Sequence, residues 1–239
     1  MELKLLHLYP DVMNLYGEYA NVAVLARCLR DLGCTVSVDT LSLYEEKDIS
    51  GYDFYYLGAG TERNQKLVLP HLLAHRADLE AACESGKVLL FTGTGFELLG
   101  AGITDADGKA FEGLHIGEFQ TVESTRRITG DCIADCKELP LPLVGFVNKC
   151  SRSSGITSPL FTLRMGFGNE KERGAEGFRK NNCFGTHITG PILAKNPAML
   201  RYIAGLLGAK TPEHAIYPNM EKAYEVTAEE LQKRLEATK

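Results

Sequence analysis

The chain has 239 residues, 44% of them hydrophobic and 24% charged, with a formal net charge of −5. That length fits one α/β domain of the larger kind, or one domain with a small appendage. The acidic balance and scattered basic residues argue against a nucleic-acid or anionic-membrane partner, because affinity for either rests on clustered Lys and Arg.

The seven cysteines (Cys28, Cys34, Cys83, Cys132, Cys136, Cys150 and Cys183) form no CxxC pair, so neither a disulfide framework nor a zinc site is expected. No apolar run of about 18 residues exists, and Met1-Glu2-Leu3-Lys4 lacks signal-peptide organisation. The expectation is a cytoplasmic protein with reduced cysteines, no membrane insertion and no cofactor or metal.

In chain order, Leu3 to Leu8 reads as a short apolar strand, and Asn21 to Leu32 places Val22, Leu25, Leu29 and Leu32 on one helical face that Gly33 terminates. Strands follow at Thr35 to Leu41 and Tyr52 to Leu57, then a helix over Lys66 to Cys83 and a buried strand over Lys87 to Phe91. This alternation predicts a doubly wound, mainly parallel sheet. From Gly102 to Lys180 the chain turns rich in Gly, Thr and short β-prone pieces, among them Gly117 to Val122 and Leu143 to Phe146, which predicts an antiparallel extension. A strand at Cys183 to Thr186 and a helix from Pro197 to Leu207 complete a unit spanning 1–207. Residues 208–239 read as a linker bearing Pro212 and Pro218, then a charged amphipathic helix over Thr227 to Lys239. That helix reads as a surface helix, with partner docking as the alternative.

In open α/β sheets the chemistry sits outside the carboxyl ends of the strands. Three loops qualify: Tyr9 to Glu18, Gly58 to Gln65, and Thr92 to Phe96. The glycines of the second expose amides suited to an anion, or serve an ordinary βα turn. The third has the shape of a nucleophile elbow, a strand that delivers a reactive residue onto a strained turn, yet its apex holds neither Ser nor Cys.

His7-Leu8-Tyr9-Pro10-Asp11-Val12-Met13-Asn14-Leu15-Tyr16-Gly17-Glu18, the Gly58 loop, the elbow ending Leu98-Leu99-Gly100, and Gly185 to Pro197 appear in an order that resembles the CobB/CobQ-like class I glutamine amidotransferases. It resembles in particular their GatD-type subunits of lipid II isoglutaminyl synthase, which work beside a Mur ligase-like subunit, MurT. The resemblance reaches to about Leu207, and implies a flavodoxin-like fold and a Cys–His glutaminase that passes ammonia to a synthetase partner. Aligned on that pattern, the nucleophile position is Gly93 and the base position is Thr189.

Glycine offers no nucleophile and threonine takes no proton near neutral pH, so the family route lacks both working parts. Thr94 beside the apex reads as a turn hydroxyl bonded to backbone. His187, two residues before Thr189, either enters the crevice to bind a ligand or is a structural or solvent-facing histidine. Cys150 and Cys183 read as inert thiols. Arg127 matches a family arginine that contacts glutamine. It is a candidate, with Gly60, Thr94 and His187, for holding glutamine or another small carboxylate; the alternative is a strand arginine in a surface ion pair. Val147 and Lys149 depart from the family's Gly-Phe-Glu-Asn-His segment, and Glu97 replaces its Gln. The leading expectation is a partner or ligand-binding subunit without conventional glutaminase activity. The alternative is an active amidotransferase or hydrolase using a non-family nucleophile.

Overall fold

The structure is a computed structural model that describes residues 1–212 and 216–237. In chain order the first half runs β1 (Glu2–Leu8), α1 (Tyr19–Asp31), β2 (Thr35–Leu41), β3 (Phe54–Leu57), α2 (Glu62–Ala74), α3 (Arg76–Glu84), β4 (Val88–Thr92) and α4 (Thr94–Glu97). The second half runs β5 (Gly102–Thr104), β6 (Ala110–Glu112), β7 (Gln120–Asp135), β8 (Leu143–Ser154), β9 (Phe161–Met165), β10 (Ala175–Glu176), β11 (Phe178–Lys180), β12 (Cys183–Thr186), β13 (Ile188–Thr189), α5 (Ile192–Lys195), α6 (Pro197–Leu206) and α7 (Pro218–Ala237).

The main sheet has the order β11-β12-β4-β3-β1-β2, parallel throughout except for the edge strand β11. Central strands such as Phe54–Leu57 and Val88–Thr92 are buried along their whole length, as parallel strands covered on both faces must be. On one face α1, α5 and α6 bring Leu25, Leu29, Leu193, Met199 and Ile203 into a core with Leu5, Phe54 and Leu90. On the other, α2, α3 and α4 bury Leu69, Leu72, Leu79 and Phe96 against Leu6, Leu57 and Phe91. The doubly wound reading and its antiparallel extension both hold: β7 and β8 form a long antiparallel ladder, flanked by β9 and, through β7, by β5 and β6.

Strand Tyr52 to Leu57 is shortened to Phe54–Leu57, and three further boundaries differ from expectation in ways that bear on packing. Helix α2 begins at Glu62, because the Thr61 side chain caps it by accepting from Asn64 N at 3.1 Å. The single helix expected over Lys66 to Cys83 is broken at His75, whose backbone (φ −100°, ψ 11°) ends one helix and opens the next. Its apolar positions stay in phase across the break, at Leu72 and Leu79, so periodicity could not expose it. The C-terminal helix begins at Pro218, well before Thr227, since proline suits the first helical turn; residues 238–239 of the expected helix lie outside the described residues. Tyr224, Leu231 and Leu235 seat α7 on Ile133 and Val144 of β7 and β8. Tyr224 donates to Pro142 O at 2.6 Å, and Arg234 pairs with Asp131. Among the described residues no helix is long and apolar enough to cross a membrane.

Candidate functional site

Strand β4 feeds Gly93, which opens α4 with φ 58° and ψ −130°, backbone angles essentially reserved for glycine. Its amide donates to Thr186 O at 2.8 Å, which pins the turn to the end of β12. A Cβ built on Gly93 would lie 2.5 Å from Ala59 Cβ, 3.0 Å from Thr189 Cγ2 and 3.3 Å from Ala59 Cα. The elbow keeps its turn, and the space for a side chain is filled.

Thr189, on β13, is buried and donates through Oγ1 to Phe146 O at 3.1 Å, so its methyl group faces the elbow. Thr94 Oγ1 donates to Gly60 O at 3.0 Å and accepts from Gly60 N at 2.9 Å. Gly60 and Thr94 therefore satisfy each other, and the Gly60 amide that could have faced an anion is already bonded.

Beside this closed elbow remains a recess of about 200 Å³, lined by Tyr16, Gly60, Glu62, Thr94, Arg127 and Asn148 among others. The Arg127 guanidinium donates from NH2 to Glu62 Oε1 at 2.6 Å and from NH1 to Asn148 Oδ1 at 3.0 Å. Asn148 Nδ2 in turn donates to the hydroxyl of Tyr16 at 2.8 Å. Cys150 Sγ donates to the same Glu62 oxygen at 3.2 Å; burial, then the neighbouring carboxylate, push its thiol up to about 12, which leaves it a poor nucleophile near neutral pH. Arg127 thus reaches the recess while paired within the chain.

His187 lies outside the recess, buried at 1% exposure with its ring edge-on to Phe96 at 4.7 Å. Its Nε2 sits 3.3 Å from Glu97 Oε1, and its Nδ1 sits 3.2 Å from Lys149 Nζ. Because an ammonium only donates, Nδ1 accepts from Lys149 and Nε2–H donates to Glu97, which fixes the tautomer. Lys149 Nζ also donates to Gly168 O at 2.7 Å. Glu97 accepts from Gln65 Nε2 at 2.7 Å and from Ser151 Oγ. Glu176 accepts from His187 N and Thr186 Oγ1, each at 2.7 Å. Burial pushes Glu97 up, yet the hydrogen bonds from His187, Ser151 and Gln65 outweigh it and hold the carboxylate below its usual range. Burial lowers the Lys149 ammonium to about 8, against the pull of Glu176 and Glu97.

A second buried cluster braces the loop before α1. Glu18 accepts from the Tyr56 hydroxyl at 2.7 Å, from Thr92 Oγ1, and from Gly190 N at 3.0 Å, which ties that loop to the turn after Thr189. Burial raises the Glu18 carboxyl against these hydrogen bonds. The sequence reading assigned no role to Glu18, Glu62, Gln65 or Glu176. For Lys149 a signal existed: Val147, Lys149, Ser151 and Ser153 share the buried face of β8, so polar residues continue the inward phase of an apolar alternation.

The CobB/CobQ-like glutamine amidotransferase domain matches residues 4–197, across both the sheet and the elbow. The chain belongs to this family. Among family relatives, the lipid II isoglutaminyl synthase (glutamine-hydrolyzing) subunit GatD of Streptococcus pneumoniae is 32% identical over 198 residues, covering 82% of this chain and 76% of that protein. The subunit of the same name from Staphylococcus aureus is 31% identical over 202 residues, covering 84% of this chain and 83% of that protein. A crystal structure of a glutamine amidotransferase superposes with a TM-score of 0.57 at 14% identity, covering 85% of this chain and 98% of that one, which supports the shared fold. Gly93 and Thr189, the residues that the sequence pattern leads one to expect at the family's nucleophile and base positions, pack against each other and against Ala59.

Proposed function

We propose that this chain is a GatD-like subunit that acts in cell-wall precursor amidation beside a Mur ligase-like protein of the MurT type, and that it releases no ammonia from glutamine by the family route. The subunit names of its relatives support the pathway and the two-protein arrangement. One observation carries the loss of glutaminase chemistry: Gly93 has no nucleophile, and a Cβ there would sit 2.5 Å from Ala59 Cβ. Thr189 cannot act as base, and Thr94 already occupies the Gly60 amide, so acid–base and oxyanion functions are missing together.

The test is ammonia release from glutamine by the purified chain, alone and with the Mur ligase-like protein of the same organism. The expected rate equals that of a boiled control in both cases, while the two proteins co-elute on gel filtration. Ammonia above the control that depends on this chain overturns the loss of activity; separate elution overturns the partnership.

A further inference from the structure

Glu62 and Arg127 alone among the residues lining the 200 Å³ recess carry charge, and each is held by its own element: Glu62 at the start of α2, Arg127 in β7. Their side chains are 27% and 46% exposed, so the pair can exchange with a solute. Glu62 engages the guanidinium with one oxygen on one nitrogen, NH2, while NH1 goes to the Asn148 amide. A free carboxylate approaching side-on can take Nε and NH2 together, the two-point geometry that makes guanidinium–carboxylate recognition strong. The recess therefore contains a carboxylate receptor and, already seated on it, a carboxylate.

We propose that Glu62 is a built-in plug: the Arg127 seat, which the family resemblance already implies for a small carboxylate, is kept closed by the chain's own side chain, and ligand binding requires Glu62 to leave Arg127. A tethered competitor acts at high effective concentration, and apparent affinity falls by the fraction of molecules in which the seat is open. Two further contacts hold the plug in place. Cys150 Sγ donates to the same Glu62 oxygen, and the Thr61 cap fixes the first turn of α2 from which Glu62 projects. The Tyr16–Asn148 hydrogen bond holds the receptor side, so displacement of Glu62 leaves Arg127 oriented. This inference rests on the reading that the site does no glutaminase chemistry, and the two fail separately: ammonia release tests that reading, and equilibrium binding tests this one.

The experiment titrates succinate, L-glutamate and uncharged succinamide into the intact chain, followed by two-dimensional NMR of the Arg127 Nε–H and the Asn148 side-chain amide. The proteins are the wild type, Glu62→Gln, Glu62→Ala and Glu62→Gln/Arg127→Gln, each shown to be folded by its melting curve. Both Glu62 variants should bind succinate at least about tenfold more tightly than the wild type, as expected when an internal competitor is removed. Loss of Arg127 should abolish that binding, and succinamide should not bind. Tighter binding of L-glutamate than of succinate makes the ammonium part of the ligand class; the reverse makes it a simple carboxylate. Equal affinity in wild type and Glu62 variants overturns the plug. Binding that survives Arg127→Gln, or no binding of either acid by both folded Glu62 variants, overturns the seat.

Discussion

Restoring a side chain to the elbow should be costly, and the cost should depend on Ala59. Gly93→Cys places a Cβ residue at φ 58° and ψ −130°, which costs about 1–3 kcal/mol in a glycine-only region. The new Cβ also overlaps Ala59 Cβ at 2.5 Å, well inside ordinary carbon contact, and overpacking of this kind adds about 1–3 kcal/mol. The single variant should therefore lose about 4 kcal/mol, or on the order of 10 °C in Tm for a chain of this size. Ala59→Gly alone should lose about 1 kcal/mol through chain entropy and a lost methyl. In the double variant the steric term is relieved while the backbone term remains, so the two changes should couple favourably by about 1–2 kcal/mol. Urea unfolding of the four proteins in the cycle measures this directly. Gly93→Cys as stable as wild type, or additive effects within about 0.5 kcal/mol, would refute the claim that Ala59 fills the nucleophile's space. The same geometry predicts that Gly93→Cys/Thr189→His stays unlabelled by a glutamine-like chloroketone until Ala59→Gly and Thr94→Gly are added, which free the space and the Gly60 amide. Labelling of the simple double variant would show the site to be open.

Lys149 should make stability rise with pH between about 8 and 10.5, because in that window the unfolded chain holds a proton that the folded chain has shed. Its contribution is bounded at about 3 kcal/mol and is read as the difference in urea stability between wild type and Lys149→Met across that range; parallel curves would contradict it. Burial lowers His7 to about 4, so acidification from pH 6.5 towards 4 should destabilise the fold as the unfolded histidine charges first. His7→Phe should flatten that acid limb. Glu97→Gln removes the carboxylate that receives His187, Ser151 and Gln65 and should cost about 2–4 kcal/mol, whereas Glu112→Gln on the surface should leave the unfolding midpoint unchanged. Leu231→Ala in α7 should cost about 2–3 kcal/mol in the same unfolding assay; an effect near zero would mean the helix is not part of the cooperative fold.

The parallel half of the fold was legible because its strands are continuous apolar runs and its helices carry a clear period, as at Val22, Leu25 and Leu29. Strand order was not, since β12 pairs with β4 through contacts distant in sequence. At the site, Gly93 and Thr189 were visible as missing chemistry, and Thr94 was read as a backbone-bonded hydroxyl, which is where its hydrogen bonds lie. What no local pattern could reveal was occupancy. Ala59 against Gly93, Glu62 on Arg127, and the chain Lys149–His187–Glu97 each join residues at least 34 positions apart, and only the fold brings them within contact.

Helix α7 also bears on which surfaces of the chain stay open. By seating Tyr224, Leu231 and Leu235 on Ile133 and Val144, it covers one end of the long ladder. A second protein could reach that end only by peeling the helix away and forfeiting its apolar contacts. The rim where Tyr16, Arg127 and Asn148 line the recess is untouched by α7. The terminal helix thus finishes one end of the antiparallel ladder while contributing no residue to the lining of the recess.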